Sequence, residues 1–152
     1  MPAEDQPVPD FSFKTLDGQD LSLAALRGKV VVADFWAMQC LGCVEGLQHY
    51  QDDPELLKNP KVAIVAFCMD KSEPAVRAFV KRKGFTFPVT LADDTARRNL
   101  GVEGRVVLPL VRVLDETGRL RYSLGADQAT PATVKCVVQH LLAGGTKTAE
   151  SP

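Results

Sequence analysis

Apolar and polar positions divide the chain into short regular elements. From Lys29 to Trp36, and again from Val62 to Met69, apolar residues run almost unbroken, the pattern of strands covered on both faces. Upstream, Phe11 and Phe13 alternate with polar residues and Asp17-Gly18 supplies a turn. Residues 11–28 therefore read as a short hairpin, with Ser22 capping a turn that ends near Gly28. Phe87 to Thr90 is a short extended piece. Val106 to Leu114 and Arg119 to Leu124 predict two strands joined into an antiparallel hairpin by Asp115-Glu116-Thr117-Gly118.

Helical spacing fills the intervals. A helix begins at Cys40 with Val44 and Leu47 on one face; Asp53-Pro54 interrupts it, and Pro54 to Leu57 forms a further turn that ends by Asn59-Pro60. Ser72 caps a helix with Pro74 in its first turn and Val76, Phe79 and Val80 at core spacing. Lys81, Arg82 and Lys83 complement the negative end of that helix before Gly84, so this basic triplet reads as capping rather than as a binding patch. Asp94 to Leu100 predicts a short helix ending at Gly101. Thr130 caps the last helix, with Pro131 at its first position and Val134, Val137, Val138, Leu141 and Leu142 as its stripe. Strand–helix–strand–helix followed by strand–strand–helix gives an α/β fold, a mixed central sheet flanked by helices on both faces. Residues 1–10, polar with Pro2, Pro7 and Pro9, form an extended N-terminal arm; 11–143 form one domain; 144–152 read as a flexible tail.

Composition narrows the function classes. The chain has 152 residues, 45% of them hydrophobic, enough for a single core without disulfide staples. A formal net charge of −1 excludes nucleic-acid binding through a global basic field. The longest apolar run, Val62 to Met69, is far short of the roughly 20 residues of a membrane helix, so no span is expected. Residues 1–5 carry neither a basic nor an apolar region, so no signal peptide is expected there, which fits either a cytosolic protein or a mature form with its leader removed.

Four cysteines are too few for a disulfide scaffold, and their spacing carries more than their number. Cys40 and Cys43 form a C-x-x-C pair in DFWAMQCLGC, residues 34–43, which runs from a strand end into a helix start. Cys40 would stand at the helix N-terminus, where unpaired N–H groups and the helix dipole favour a thiolate. Cys43 follows one turn deeper on the same face. The first cysteine attacks a disulfide and the second resolves the mixed disulfide. Asp34 is an acid inside an apolar strand, six residues before Cys40; it is either an outward-facing acid or a buried one with a raised pKa. Cys68 ends an apolar strand and reads as core. Cys136 lies opposite the apolar stripe of its helix and reads as an exposed free thiol. His49 and His140 read as surface residues.

On these residues the sequence resembles the thioredoxin superfamily, and within it the TlpA/ResA-like thiol–disulfide oxidoreductases. PDFSFKTLDGQDLSLAALRGKVVVADFWA is similar to that family's opening hairpin and active-site strand, and PLVRVLDETGRL to its cis-proline strand and hairpin. The segment between the second strand and Phe87-Pro88-Val89 is similar to its central helical insertion. The resemblance implies a monomer with a thioredoxin-like fold. Cys40 is its exposed nucleophile and Cys43 its buried resolver. Asp34 matches the buried aspartate of thioredoxins proper, which would take the Cys43 proton. Trp36, Leu41 and Gly42 fall in the substrate-facing motif. Pro109 is the cis-proline, and Leu108 before it pairs main-chain groups with an extended substrate segment. A proline within an apolar strand otherwise argues against a central strand.

The resemblance implies no cofactor beyond the Cys40–Cys43 disulfide and no metal. It implies protein thiol or disulfide substrates, an electron donor that the chain does not identify, and an extracytoplasmic location, with the cytosol left open by the two unpaired cysteines. Leu41 and Gly42 bring no charge to the Cys40 thiolate, which points to a reducing or intermediate potential. Asp70 and Glu73 are the candidates for an acidic residue near the site. Three other readings remain. A redox-inactive binding module would use the groove around Pro109. A copper or zinc site would add a histidine to the cysteine pair. A thiol peroxidase would need an activating threonine three residues before its cysteine, where this chain has Ala37 or Cys40.

Overall fold

The computed structural model describes residues 3–144. The tail expected over 144–152 lies, from residue 145 onward, outside the described residues. Twelve elements follow in chain order: β1 Ser12–Lys14, β2 Asp20–Ser22, β3 Val30–Trp36, α1 Leu41–Gln51, α2 Pro54–Leu57, β4 Val62–Cys68, α3 Glu73–Lys83, β5 Val89–Leu91, α4 Asp94–Asn99, β6 Leu110–Leu114, β7 Leu120–Leu124 and α5 Pro131–Leu142. A short 3-10 turn, Ala24–Leu26, follows β2.

The five-stranded sheet has the order β5-β4-β3-β6-β7. β3, β4 and β5 are parallel; β6 runs antiparallel to β3, and β7 antiparallel to β6. The sheet is therefore mixed, and β3 is its centre, buried along its whole length. Its side chains alternate between two apolar layers, as the two-residue period of a strand requires. Val30, Val32 and Trp36 join a layer built with α1, α3 and α5; Val31, Ala33 and Phe35 join one built with the β1–β2 hairpin and α4. The hairpin turn is closed by Gly18 at φ +88°, a conformation open to glycine without steric cost.

Helix starts follow the expected chemistry. Ser72 and Thr130 accept hydrogen bonds from Ala75 and Thr133 N–H, and Gly84 ends α3 in the left-handed region. The buried face of α1 is Cys43, Leu47 and Tyr50, rather than Val44 with Leu47: Val44 is only partly covered because the helix turns Cys43, one position earlier, onto the sheet.

Two sequence expectations change. The strand expected from Val106 begins only at Leu110, because Pro109 has no N–H to give a ladder; the Leu108–Pro109 bond is cis. Of the arm expected over 1–10, residues 1 and 2 lie outside the described residues, and the rest is docked. Gln6 exchanges hydrogen bonds with Leu120 at 3.1 and 2.8 Å, and Glu4 N–H donates to Arg121 O at 2.6 Å. Arg121, itself buried beside Asp115, returns a bond from Nε to Glu4 O at 2.5 Å. The arm thus covers part of the edge that β7 would otherwise present to solvent.

Candidate active site

Three chain segments, remote in sequence, meet at one end of the sheet. β3 ends at Trp36, which pairs with Cys68 at the end of β4. Leu110 of β6 pairs with Phe35, so Pro109 stands level with Trp36, and Leu108 with the turn that leads to Cys40. That turn is closed by Cys40 N–H donating to Ala37 O at 3.1 Å.

Cys40 is the N-cap of α1 and is bonded to Cys43 as a disulfide, with 5.2 Å between their Cα atoms. Cys43 N–H donates to Cys40 Sγ at 3.2 Å. The same contact, with the helix N-terminus behind it, stabilises negative charge on Cys40 when the bond is open. Cys40 is half-buried, whereas Cys43 is only 2% exposed. An incoming sulfur therefore reaches Cys40 first. Leu41 between them is 74% exposed, and Val107, in the turn before Leu108, is 72% exposed. Leu108 and Pro109 are half-buried. Leu41 and Val107 are thus the large apolar side chains left exposed among the described residues, in the cysteine motif and in the turn before Pro109, and the exposure of Val107 is what the strand-like sequence reading missed. Gly42 is exposed with open space around its Cα.

Trp36 corrects an expectation. It is 0% exposed and packs on the Phe79 ring at 5.7 Å, so no substrate lying on the surface touches it. The covered face of β3 places it beneath the motif as packing.

Asp34 is the buried acid of the two alternatives, at 4% exposure. It points into the layer that holds Cys43, Leu47 and Tyr50. Tyr50 donates its hydroxyl to Asp34 Oδ2 at 2.8 Å, while Oδ1 has no partner among the described residues. Burial raises the carboxyl from 3.8 to about 7, against the smaller lowering effect of the Tyr50 bond. Tyr50 itself is held well above its ordinary value, by burial first and by the neighbouring carboxylate second. The sequence signal for Tyr50 was available: it stands seven residues after Cys43, two turns along one helix face.

Asp70 supports the site from behind. Its Oδ2 accepts from Met38 N–H at 2.7 Å and from the Cys68 thiol at 3.3 Å. Burial pushes that thiol up to about 12, so Cys68 stays protonated and serves as packing and donor. Glu73, the other acidic candidate, is engaged with Arg77 at 2.6 Å. Asp70→Ala should lower the stability of the oxidised protein by about 1–3 kcal/mol, because it strips the partner from a half-covered N–H. Urea denaturation reads this directly, and an unchanged midpoint refutes the clamp.

Cys136 is exposed and free. Among the described residues, no three histidine, cysteine, aspartate or glutamate side chains gather as a metal site, and no helix is long and apolar enough to cross a membrane.

A thioredoxin-like sheet carrying a C-x-x-C disulfide at the head of its first helix defines the class of thiol–disulfide oxidoreductases, and comparison with known proteins agrees. The Redoxin family matches residues 3–138, and the chain belongs to that family. The thioredoxin-like protein YneN of Bacillus subtilis (strain 168) is 36% identical over 124 residues, covering 76% of this chain and 67% of that protein. The thiol-disulfide oxidoreductase ResA of Bacillus thuringiensis (strain Al Hakam) is 30% identical over 113 residues, covering 74% and 64%. The crystal structure of a thiol:disulfide interchange protein of the thioredoxin family from Chlorobium tepidum TLS superposes with a TM-score of 0.79 at 25% identity, over 93% of this chain and 99% of that one. The chain spans about two thirds of the length of the two sequence relatives.

Proposed function

We propose that the chain exchanges disulfides with protein substrates through Cys40 and Cys43, working as a reductase. The observation that carries this reading is the unequal burial of the two bonded sulfurs, one reachable and one sealed, at a helix N-terminus. In the reduced protein the Cys40 thiolate attacks a substrate disulfide and forms a mixed disulfide, releasing the first substrate thiolate. Cys43 then gives its proton to Asp34 and attacks Cys40 Sγ. The Cys40–Cys43 bond forms, and the second substrate sulfur leaves as a thiolate. Two electrons pass from the cysteine pair to the substrate. The disulfide is the only redox group this sequence of steps uses.

Leu108 presents main-chain groups to an extended substrate segment, Pro109 keeps that turn open, and exposed Leu41 offers an apolar contact. Leu41 and Gly42 add no charge, so the helix terminus and the Cys43 N–H carry the thiolate stabilisation and leave the couple in the reducing range. We place this chemistry outside the cytoplasm, on the resemblance to TlpA/ResA-like proteins, with a protein thiol donor renewing the reduced form.

Redox titration in glutathione and dithiothreitol buffers, with alkylation and mass readout, tests the proposal. A reversible two-electron couple near roughly −270 mV is expected. A couple near roughly −120 mV reverses the direction of electron flow, and no couple at all leaves only a binding module.

A further inference from the structure

We propose that Tyr50 is the positioning residue for the resolving step: its hydroxyl pins one oxygen of the Asp34 carboxylate and leaves the other to take the Cys43 proton. The inference rests on Asp34 being the base in the proposed exchange, and it adds a residue that neither the motif nor the family comparison assigns.

The geometry is specific. Tyr50 and Cys43 share the buried face of α1, two turns apart and therefore about 10 Å along the helix axis. A long helical side chain leans back toward the N-terminus, so the phenol reaches toward the turn that carries Cys43. Its hydroxyl donates to Asp34 Oδ2 at 2.8 Å, in the layer that also holds Cys43. Asp34 Oδ1 remains buried and unpartnered among the described residues, the one acceptor on this carboxylate still open to a proton. Transfer of the Cys43 proton to Oδ1 leaves the Tyr50 bond to Oδ2 in place, so the carboxyl does not have to rotate during the step.

The same bond governs when Asp34 can act. A buried carboxylate with no donor holds its proton beyond neutral pH and cannot accept another. A hydrogen bond to the charged form counters that burial. Neighbouring elements offer little else. In register with Asp34, β4 and β6 present Ala66 and Val111, and α5 presents Val134, Val137, Val138 and Leu141. Among the described apolar and aromatic residues of this layer, those that titrate are Cys40, Cys43, Tyr50, Cys68 and Tyr122. Cys68 donates to Asp70. Lys135 of α5 is engaged at the surface by Asp53 and Glu55, and Cys136 and His140 are exposed.

The test follows the resolving step alone. Reduced protein is mixed with oxidised glutathione from pH 5.5 to 9, and decay of the glutathione adduct on Cys40 is followed by acid quench and mass. Carbon-13 NMR of the Asp34 carboxyl gives the same midpoint without turnover. Tyr50→Phe should move both midpoints up by about one pH unit and slow adduct decay roughly fivefold at pH 7. In an Asp34→Asn background, Tyr50→Phe should change the decay rate no further. 3-Fluorotyrosine, a stronger donor, introduced with Tyr122→Phe so that Tyr50 alone is labelled, should move the midpoint down; it decides the matter if Tyr50→Phe does not fold. A midpoint unmoved by both changes, while Asp34→Asn abolishes it, overturns the role of Tyr50 alone. A midpoint that survives Asp34→Asn overturns the base itself, and the inference with it.

Discussion

Cys40→Ser should abolish disulfide exchange, lowering its rate by more than about a thousandfold. The size of the effect follows from access. Cys40 is half-buried at the head of α1, whereas Cys43 is sealed under the same turn. With Cys40 gone, the remaining sulfur is poorly placed to meet a substrate disulfide, and the helix terminus and Cys43 N–H have no thiolate to stabilise. Cys43→Ser should behave differently. The first attack survives, resolution is lost, and the mixed disulfide accumulates in stoichiometric amount. Both variants are best made with Cys136→Ser, since the free thiol on α5 is exposed to the same reagents. Gel-shift alkylation and mass of the trapped adduct separate the two outcomes. Exchange retained in Cys40→Ser would show that Cys40 is not the nucleophile.

The second large effect is on stability. In the folded protein the Asp34 carboxyl holds its proton up to about pH 7, whereas the ordinary value is 3.8. Across that interval the folded state binds more protons than the unfolded state, so stability falls as pH rises from about 4 and levels off above about 7. The difference corresponds to on the order of 4 kcal/mol for this fully buried group. Asp34→Asn removes the titration while keeping an acceptor for Tyr50. Urea denaturation at pH 5 and pH 8 should show a large drop in the parent and a much smaller one in the variant. Equal drops would mean that Asp34 is charged at both values. A carboxyl that titrates near pH 7 thus comes at a cost in folding free energy.

Much of this was legible in the amino-acid order. The continuous runs of β3 and β4 marked the centre of the sheet, and Ser72, Pro74, Gly84, Thr130 and Pro131 marked helix ends through local chemistry that needs no tertiary contact. Cys40, Cys43 and Asp34 fell where strand gives way to helix, and the structure places them there. What escaped was decided by backbone geometry or by depth. Val106 to Leu110 has the apolar content of a strand, but Pro109 delays the ladder and leaves Val107 as exposed rim. The arm joins β7 through main-chain bonds and the Arg121 guanidinium, contacts that an apolar–polar pattern does not record. Trp36 looked like a surface contact because it borders the motif, yet β3 is covered on both faces and its alternation turns the indole inward. Tyr50 carried a helical signal, but only the 2.8 Å contact shows that its hydroxyl serves Asp34.

The placement of β6 between β3 and β7 has a consequence for the order of synthesis. By the time residues 30–91 have left the ribosome, β3, β4 and β5 can pair as a parallel half-sheet, with the edge of β3 that later receives β6 still open. Open strand edges invite pairing with other chains, and here both cysteines lie just past the end of that strand. Residues 107–114 close the edge and set the turn before Pro109 opposite the cysteine segment in one event. Cys40 and Cys43 are therefore on the nascent chain for about seventy residues of growth before the turn at Leu108-Pro109 can stand opposite them.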